Sequence, residues 1–291
     1  MHEFSLQFLS CVRCGQKLEL DIIEEKNEII EGFLYCQKCN LEFPIISKIP
    51  ILWDNFSDYL STRTKLGGKF IIQSSSKKMK SFVKKSLSKI RIQHEDRYSI
   101  EDRWTKIYQN SQKSQFYSEI KKHLKITNSE LSLEHGCSIG SMTKILAKQS
   151  TIAFGIDRSF SAISIAKKNS EKNSDFFVSD LLEHPFGKQK FDLILALNVL
   201  ELVEPLHFLK TISKQICKGQ LILSDPYDFD RGANSVKKPV DDIHLRTELR
   251  NLQFTISTQT KKPSFIPWIL HLNPRSTLHY KTDLVIAQKN Q

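Results

Sequence analysis

The stretch that decides the fold is residues 134–140, which read EHGCSIG. An apolar run, residues 131–134, leads into it, and residues 142–149 after it have helical spacing of apolar side chains. Glycines between a strand and a helix permit a tight turn and close approach of a ligand, whose negative group meets the helix N-terminus. The stretch therefore predicts a ligand-binding turn at the end of a strand.

Apolar strands and helical segments alternate from this turn toward the C-terminus. This alternation over about a hundred residues indicates an α/β fold, a doubly wound, Rossmann-like parallel sheet covered on both faces. The predicted strands are residues 131–134, 152–157, 176–179, 191–197 and 220–224, and the predicted helices are residues 142–149, 161–171 and 206–217.

Acidic residues stand at the ends of the first three predicted strands. Glu134 ends the first strand, Asp157 the second and Asp180 the third. Because the carboxyl ends of parallel strands share one edge of the sheet, these side chains are expected to meet where such folds bind ligands. Asp157, 23 residues after Glu134, is well placed to accept hydrogen bonds from two ribose hydroxyls.

This set resembles the class I S-adenosylmethionine-dependent methyltransferases (type 11-like) over about residues 100–290. The family motif is an acidic residue followed by Gly-x-Gly-x-Gly, and Glu134, Gly136 and Gly140 match it, with Ser138 in place of the middle glycine. The resemblance implies a seven-stranded sheet whose last strands, residues 253–258 and 282–288, form an antiparallel pair.

The resemblance also implies a role for each motif position in binding S-adenosylmethionine. The turn around Gly136 would approach the methionine moiety, and Asp157 would hold the ribose. Asp180 and Leu181 would meet the adenine. Asn198, which ends the fourth predicted strand, would line the junction of donor and acceptor.

A dinucleotide-dependent dehydrogenase is the alternative to this interpretation, since Asp157 would suit the ribose of NAD equally well. The glycines argue against it: Gly136 and Gly140 are four apart and lack the further glycine of the dinucleotide fingerprint. The sequence therefore favours methyl transfer.

Candidates for acceptor binding or catalysis follow the fifth predicted strand. Asp225 and Tyr227 lie in the run SDPYDF, residues 224–229, which has a weak resemblance to a run in methyltransferases acting on histidine-like small molecules. A structural turn is the alternative for both residues. Trp104 and Tyr108, four residues apart, could cover a ligand or simply pack together.

Four of the six cysteines form two Cys-x-x-Cys pairs, Cys11 with Cys14 and Cys36 with Cys39. Two such turns can complete a tetrahedral zinc site, and four cysteine ligands leave no open position for catalysis. Disulfides are the first alternative, and the chain start lacks the basic and apolar regions of a secretory signal, which argues against them. A redox-active Cys-x-x-Cys pair is the second alternative. Such a motif is expected once, at the start of a helix, whereas this sequence has two.

Residues 6–53 resemble the small zinc-ribbon proteins that activate partner methyltransferases, in which a Phe-Pro-Ile…Ile-Pro run follows the last ligands. Here that run reads FPIISKIP, residues 43–50. In that family the ribbon binds and stabilises a separate catalytic subunit. We expect the partner of this ribbon to be the remainder of the same chain.

Positive charge is concentrated between the two predicted domains. Of a net charge of +11, residues 61–125 contribute 17 basic against 5 acidic residues. Residues 74–92 have the pattern of a basic amphipathic helix, which could contact an anionic lipid or RNA surface through residues 77–92, or pack on its neighbour. The predicted division is a zinc ribbon at 1–60, a basic amphipathic linker at 61–97 and a methyltransferase domain at 98–291.

Three functions fit these patterns. The first is a methyltransferase acting on a small molecule, with the ribbon as an intramolecular stabiliser. The second is an RNA methyltransferase whose ribbon and basic segment hold the nucleic acid, and the third is a non-catalytic interaction protein. No apolar run approaches the roughly 20 residues that span a bilayer, and we expect a cytoplasmic protein. The oligomeric state cannot be read from these residues.

Overall fold

The computed structural model describes residues 1–90, 96–124, 128–230 and 236–290. Within those ranges, none of the helices combines the length and the apolar character needed to cross a membrane. The fold has an N-terminal ribbon, a helical middle region and a central sheet flanked by helices.

The ribbon is an antiparallel meander of four strands that follows a 3₁₀ turn at Glu3–Phe8. Its strands are β1 (Glu19–Glu25), β2 (Ile29–Cys36), β3 (Leu41–Ile46) and β4 (Ile49–Leu52). All four residues of β4 are buried, which suits a strand covered on both faces.

The central sheet contains the five predicted parallel strands and two more. Its strands are β5 (Ser129–His135), β6 (Ser150–Asp157), β7 (Ser174–Ser179), β8 (Leu193–Leu197), β9 (Gly219–Asp225), β10 (Phe254–Ile256) and β12 (Ser276–Lys289). They lie in the order β7-β6-β5-β8-β9-β12-β10, and β12 is antiparallel to both neighbours. The predicted α/β class and the terminal antiparallel pair are confirmed.

The sheet continues beyond these seven strands. β4 pairs in parallel with β7, with Ile51 opposite Val178 and Leu52 opposite Ser179, so the ribbon and the central strands form one sheet. A further strand, β11 (Ile266–Asn273), forms a hairpin with β12. The ribbon thus covers an edge of the sheet that would otherwise expose unpaired backbone groups.

Nine helices lie in the described part of the chain. They are α1 (Phe56–Ser61), α2 (Thr64–Gln73), α3 (Lys77–Ser88), α4 (Arg97–Asn110), α5 (Gln115–Leu124), α6 (Thr143–Gln149), α7 (Phe160–Lys168), α8 (Pro205–Gln215) and α9 (Asp242–Asn251). The three helices predicted after the glycine turn correspond to α6, α7 and α8. The division of the chain into units at 60 and 97 stays a prediction.

The basic segment forms α3, which begins at the N-cap Ser76 and buries Met79 and Val83 against α1 and α2. Its apolar face is therefore turned to the protein, one of the two predicted arrangements. Most of its lysines point to solvent, and Lys78 forms an ion pair with Asp21 of β1 at 2.5 Å. Residues 91 and 92 of the predicted contact segment lie outside the described residues.

A buried ion cluster joins the ribbon to the sheet. Lys167 of α7 donates to Asp175 Oδ1 at 2.6 Å and also contacts Glu28 at the turn between β1 and β2. The Ser5 hydroxyl donates to Asp175 Oδ2 at 2.7 Å. Burial alone would raise the pKa of Asp175, but the charge of Lys167 prevails and holds this pKa at about 2.

We expect Lys167→Met to lower the free energy of unfolding by about 3–5 kcal/mol, because it leaves the fully buried Asp175 without its ion-pair partner, whereas Glu28 keeps its pair with Lys48. Urea denaturation measures this change. Lys168→Met, at the exposed neighbouring position, is the matched control and should change stability by less than about 0.5 kcal/mol. Equal effects of the two substitutions would contradict a stabilising role for the cluster.

Candidate active site

A cleft of about 610 Å³ opens at the carboxyl ends of β5, β6, β7 and β8. Side chains of α4, α5 and β11 close its other side. The parallel order of the strands produces this position, since their backbone ends and the following loops all meet at one edge. The edge predicted from the acidic strand ends is therefore the edge that carries the cleft.

The turn after β5 is held in a left-handed backbone conformation. Gly136 has a φ of 67° and Ser138 a φ of 48°. A Cβ at position 136 would lie 2.5 Å from Val199 Cγ1, so only glycine fits this approach of the backbone to the loop after β8. The buried Ser138 hydroxyl lines the cleft and has no hydrogen-bond partner among the described residues.

Gly140 ends the same turn but does not line the cleft. A Cβ there would lie 2.8 Å from both Ala166 Cβ and Phe176 Cε1, and its φ is 72°. Its position therefore serves the close packing of the turn against α7 and β7. We assign Gly140 to packing, whereas the sequence pattern predicts cofactor contact.

Asp157 braces the turn from the end of β6. Its Oδ2 accepts from the Ser138 backbone N–H at 2.9 Å, and its Oδ1 accepts from the Ser159 N–H at 2.8 Å. Each carboxylate oxygen can accept a second hydrogen bond. Burial raises the pKa of Asp157. The side chain lines the cleft with acceptor capacity left for a ligand.

Glu134 is 3% exposed at the end of β5 and accepts a hydrogen bond from the Thr143 hydroxyl. Burial raises the pKa of Glu134 to about 8, and the charge of Asp157 acts in the same direction. Burial therefore favours the neutral carboxyl in the folded protein when the cleft is empty.

This pKa predicts a pH dependence of stability. The folded state holds the Glu134 proton up to about pH 8, whereas the unfolded chain releases it near pH 4.5, so the contribution to stability declines as pH rises between those values. Between pH 6 and pH 9 we expect Tm of the wild type to fall about 3–6 °C more than Tm of Glu134→Gln. The exposed Glu130→Gln should follow the wild type. Parallel pH profiles for all three proteins would contradict the assignment.

The remaining predicted cofactor residues also lie along the cleft. Asp180 follows β7 and accepts from the Leu182 N–H at 2.8 Å, which leaves Leu181 beside it on the cleft wall. Asn198 follows β8 with a φ of 55°, and its Oδ1 accepts from the Ser224 hydroxyl at 2.9 Å. The structure thus brings together seven of the eight predicted residues, all but Gly140.

Asp225 and Tyr227, the predicted acceptor-binding pair, do not line the cleft. Asp225 is fully buried and accepts from the backbone N–H groups of Leu200 at 3.0 Å and Tyr227 at 2.8 Å. The Tyr227 hydroxyl donates to Asp283 at 2.8 Å. These bonds fix the loops after β8 and β9, which corresponds to the structural-turn alternative.

The β11–β12 hairpin and Glu201, which the sequence pattern does not predict, complete the cleft. Trp268 and Tyr280 are directly opposite each other in the hairpin and line the cleft. Trp104 and Tyr108 of α4, for which covering a ligand is one of the two predicted roles, line it too. Glu201, 5% exposed, follows Asn198 on the wall. The only sequence signal for Trp268 and Tyr280 is that each lies in or beside one of two neighbouring apolar runs.

The four ribbon cysteines form a separate cluster. All four thiols are free, their sulfurs lie within 4.8 Å of one another, and Cys14 Sγ is 3.6 Å from Cys36 Sγ. Tetrahedral zinc with Zn–S bonds of about 2.3 Å requires sulfurs about 3.8 Å apart, so Cys11, Cys14, Cys36 and Cys39 fit a structural zinc site. None of them lines the cleft.

Family models match both parts of the chain. Residues 133–223 match a methyltransferase domain, and residues 3–46 match the Trm112p-like proteins. The chain therefore combines a methyltransferase domain with a Trm112p-like domain at its N-terminal side. No curated protein matches the chain significantly.

Solved structures share the fold. One is a complex between the Trm112 methyltransferase activator of Haloferax volcanii and a protein assigned as a methyltransferase. It has 13% identity and a TM-score of 0.55, covering 67% of this chain and 97% of that one. Another is the N-methyltransferase NodS of Bradyrhizobium japonicum WM9 in complex with S-adenosyl-L-homocysteine. It has 17% identity and a TM-score of 0.51, covering 67% of this chain and 98% of that one.

Proposed function

We propose that this protein is an S-adenosylmethionine-dependent methyltransferase that uses its zinc ribbon as a stabiliser in the same chain. The observation that carries the proposal is the set of acidic side chains at the ends of β5, β6 and β7, around a left-handed glycine turn. Such a set suits a nucleoside with a cationic amino-acid tail, since carboxylates accept hydrogen bonds from hydroxyls and attract ammonium groups.

Each residue would then hold one part of the cofactor. Asp157 would accept hydrogen bonds from the ribose hydroxyls, and Asp180 with Leu181 would contact the adenine. The Gly136 turn and the Ser138 hydroxyl would contact the methionine part. A cationic amino group near Glu134 would favour loss of the Glu134 proton on binding.

When bound, the cofactor supplies a methyl group already activated for transfer. The protein's task is then to exclude water and to hold the acceptor in line with the methyl group. Asn198 and Glu201, on the wall after β8, lie where an acceptor could be positioned against the donor. Asp225 and Tyr227 are given no direct role, because they lie behind the cleft wall.

The ribbon would stabilise the catalytic sheet from within the chain. β4 extends the sheet at β7, the strand whose end carries Asp180. The ion cluster of Lys167, Asp175 and Glu28 joins the same two parts. A ribbon seated in this way occupies the sheet edge, so we expect activity without a separate activator protein.

We propose a small molecule as the acceptor, because the sequence lacks aromatic-interleaved RNA-binding motifs and the cleft is closed by α4, α5 and β11. RNA is the second candidate, and the exposed lysines of α3 and of its C-cap favour it: Lys77, Lys84 and Lys85 lie in the helix and Lys89 caps it. Binding through these lysines would weaken steeply as salt is added.

A labelled-methyl transfer assay on cellular RNA and on low-mass metabolites, run in parallel, separates the two acceptors. Label in the low-mass fraction alone supports the first proposal. Label in RNA alone, with loss of transfer in Lys84→Glu/Lys85→Glu and at high salt, supports the second. Absence of label in both fractions, together with absence of S-adenosylhomocysteine binding, would contradict the methyltransferase proposal.

A further inference from the structure

Four aromatic rings form one wall of the cleft, opposite the acidic strand ends. Trp104 and Tyr108 come from α4, Trp268 from β11 and Tyr280 from β12. Neighbouring ring centroids are 5.8 Å apart for Trp104 and Tyr108, 6.3 Å for Tyr108 and Trp268, and 5.4 Å for Trp268 and Tyr280. We call these four residues the aromatic wall.

Two of the three neighbouring ring pairs in this wall are stacked, and the third is tilted. The planes of Tyr108 and Trp268 differ by 9°, those of Trp268 and Tyr280 by 28°, and those of Trp104 and Tyr108 by 34°. Stacked rings cover each other's inner faces, so one more planar ring can extend the row at its outer members, Trp104 and Tyr280, which are only partly buried. A cage for an ammonium group would instead surround the cation with ring faces on several sides.

The charges that line the cleft argue against an anionic ring, because five of the lining residues are acidic: Glu101, Glu134, Asp157, Asp180 and Glu201. Among the described residues that line the cleft, Arg97 and Arg158 are the only cationic side chains, and neither belongs to the wall. Arg97 begins α4 and lies 11 residues, or about 16 Å along the helix, before Tyr108. An anionic group beside Tyr108 would therefore be distant from Arg97.

The wall also offers a polar group. Trp268 is 3% exposed, and its Nε1 makes no well-formed hydrogen bond among the described residues, although it lies close to the Tyr117 hydroxyl, which lines the same cleft. An indole N–H can only donate, so a ring nitrogen or a carbonyl oxygen of a ligand could accept from it in competition with that hydroxyl. On the opposite side, the Tyr280 hydroxyl donates to Asp228 at 3.0 Å, which fixes that ring.

We propose that the methyl acceptor is a planar ring that carries no negative charge and bears a hydrogen-bond acceptor, and that it stacks on the aromatic wall. This inference rests on the proposed function, because the wall faces the strand ends assigned to the methyl donor. The ring can come from two sources, a free heteroaromatic compound or a base of RNA turned out of its stack.

The test determines whether the methyl label is found on a planar ring or on another chemical group. The full-length protein is incubated with methyl-labelled S-adenosylmethionine and either low-mass metabolites or RNA, and the labelled product is isolated, after nuclease digestion in the RNA arm. We expect the label on a planar, ultraviolet-absorbing ring, and the arm in which it is found identifies the source. Label on an aliphatic amine, a carboxylate or a ribose hydroxyl would overturn the inference.

A binding measurement decides the question independently of turnover. With S-adenosylhomocysteine saturating the donor side, 2-naphthol should bind at least tenfold more tightly than its saturated counterpart decahydro-2-naphthol. Tyr108→Leu should weaken 2-naphthol binding at least tenfold and leave S-adenosylhomocysteine binding within twofold. Tyr35→Leu, in the ribbon, is the matched control.

Equal binding of the planar and the saturated compound, or an unchanged affinity in Tyr108→Leu, would refute the stacking site. The two proposals fail separately. If S-adenosylhomocysteine does not bind, the proposed function is wrong, whereas if it binds and 2-naphthol does not, only the inference about the acceptor is wrong.

Discussion

Asp157→Asn is expected to weaken the binding of S-adenosylhomocysteine at least 100-fold. The carboxylate of Asp157 accepts two backbone N–H bonds and would accept two ribose hydroxyls, and the amide can neither carry the charge nor accept at both atoms. Hydrogen bonds to charged groups contribute about 1.5–3 kcal/mol each, and two of them correspond to a factor of about 10² or more in affinity. Isothermal calorimetry measures the change.

Two measurements show whether this loss arises at the site. Asp58→Asn, at an exposed position of α1, should bind as the wild type does. The circular dichroism spectrum of Asp157→Asn should match that of the wild type at the temperature of the titration. A folded Asp157→Asn protein with unchanged affinity would remove Asp157 from the proposed ribose site.

Cys36→Ser is expected to release the zinc ion and to lower Tm by more than about 10 °C. Cys36 is fully buried at the end of β2, and structural zinc in zinc-finger peptides contributes about 10–16 kcal/mol of apparent binding free energy. Loss of about 6–8 kcal/mol, well below that binding free energy, would lower Tm of a chain of this size by about 10–13 °C. Because β4 belongs to the main sheet, we expect the methyltransferase domain to lose stability together with the ribbon.

Cys217→Ser provides the matched control, since Cys217 is exposed and lies outside the cysteine cluster. It should keep one zinc per chain by elemental analysis and the Tm of the wild type. Zinc content of one per chain in Cys36→Ser, or its absence from the purified wild type, would contradict the four-cysteine site. A loss of zinc with unchanged Tm would show that the ribbon does not stabilise the sheet.

The strands and the glycine turn could be predicted because their signals are local. An apolar run followed by residues 134–140 specifies a strand and a tight turn, and the acidic residues at the strand ends reach one edge by the geometry of a parallel sheet. The cysteine pairs are equally local, since each Cys-x-x-Cys turn orients its own two thiols.

The pairing of β4 with β7 could not be predicted, because it joins residues about 127 positions apart, such as Ile51 and Val178. A short apolar strand carries no signal that selects its partner. The run at residues 49–52 reads equally well as an internal strand of a separate ribbon, and only tertiary packing shows that it extends the larger sheet.

The burial of Asp225, at the end of β9, could not be predicted for a similar reason. Asp225 is an acidic residue at a strand end, like Asp157, and the pattern alone does not distinguish them. The loop after β8 donates its Leu200 N–H to Asp225, which buries that carboxylate beneath the cleft wall. The aromatic wall depends in turn on the β11–β12 hairpin meeting α4, a contact between distant parts of the chain.

A crystal structure of the protein with S-adenosylhomocysteine tests the central claim most directly. We predict the ribose hydroxyls within hydrogen-bond distance of the Asp157 carboxylate, the adenine beside Asp180 and Leu181, and the sulfur facing the aromatic wall. A cleft that stays empty at saturating ligand, or a ligand bound elsewhere on the molecule, would contradict the proposed methyltransferase site.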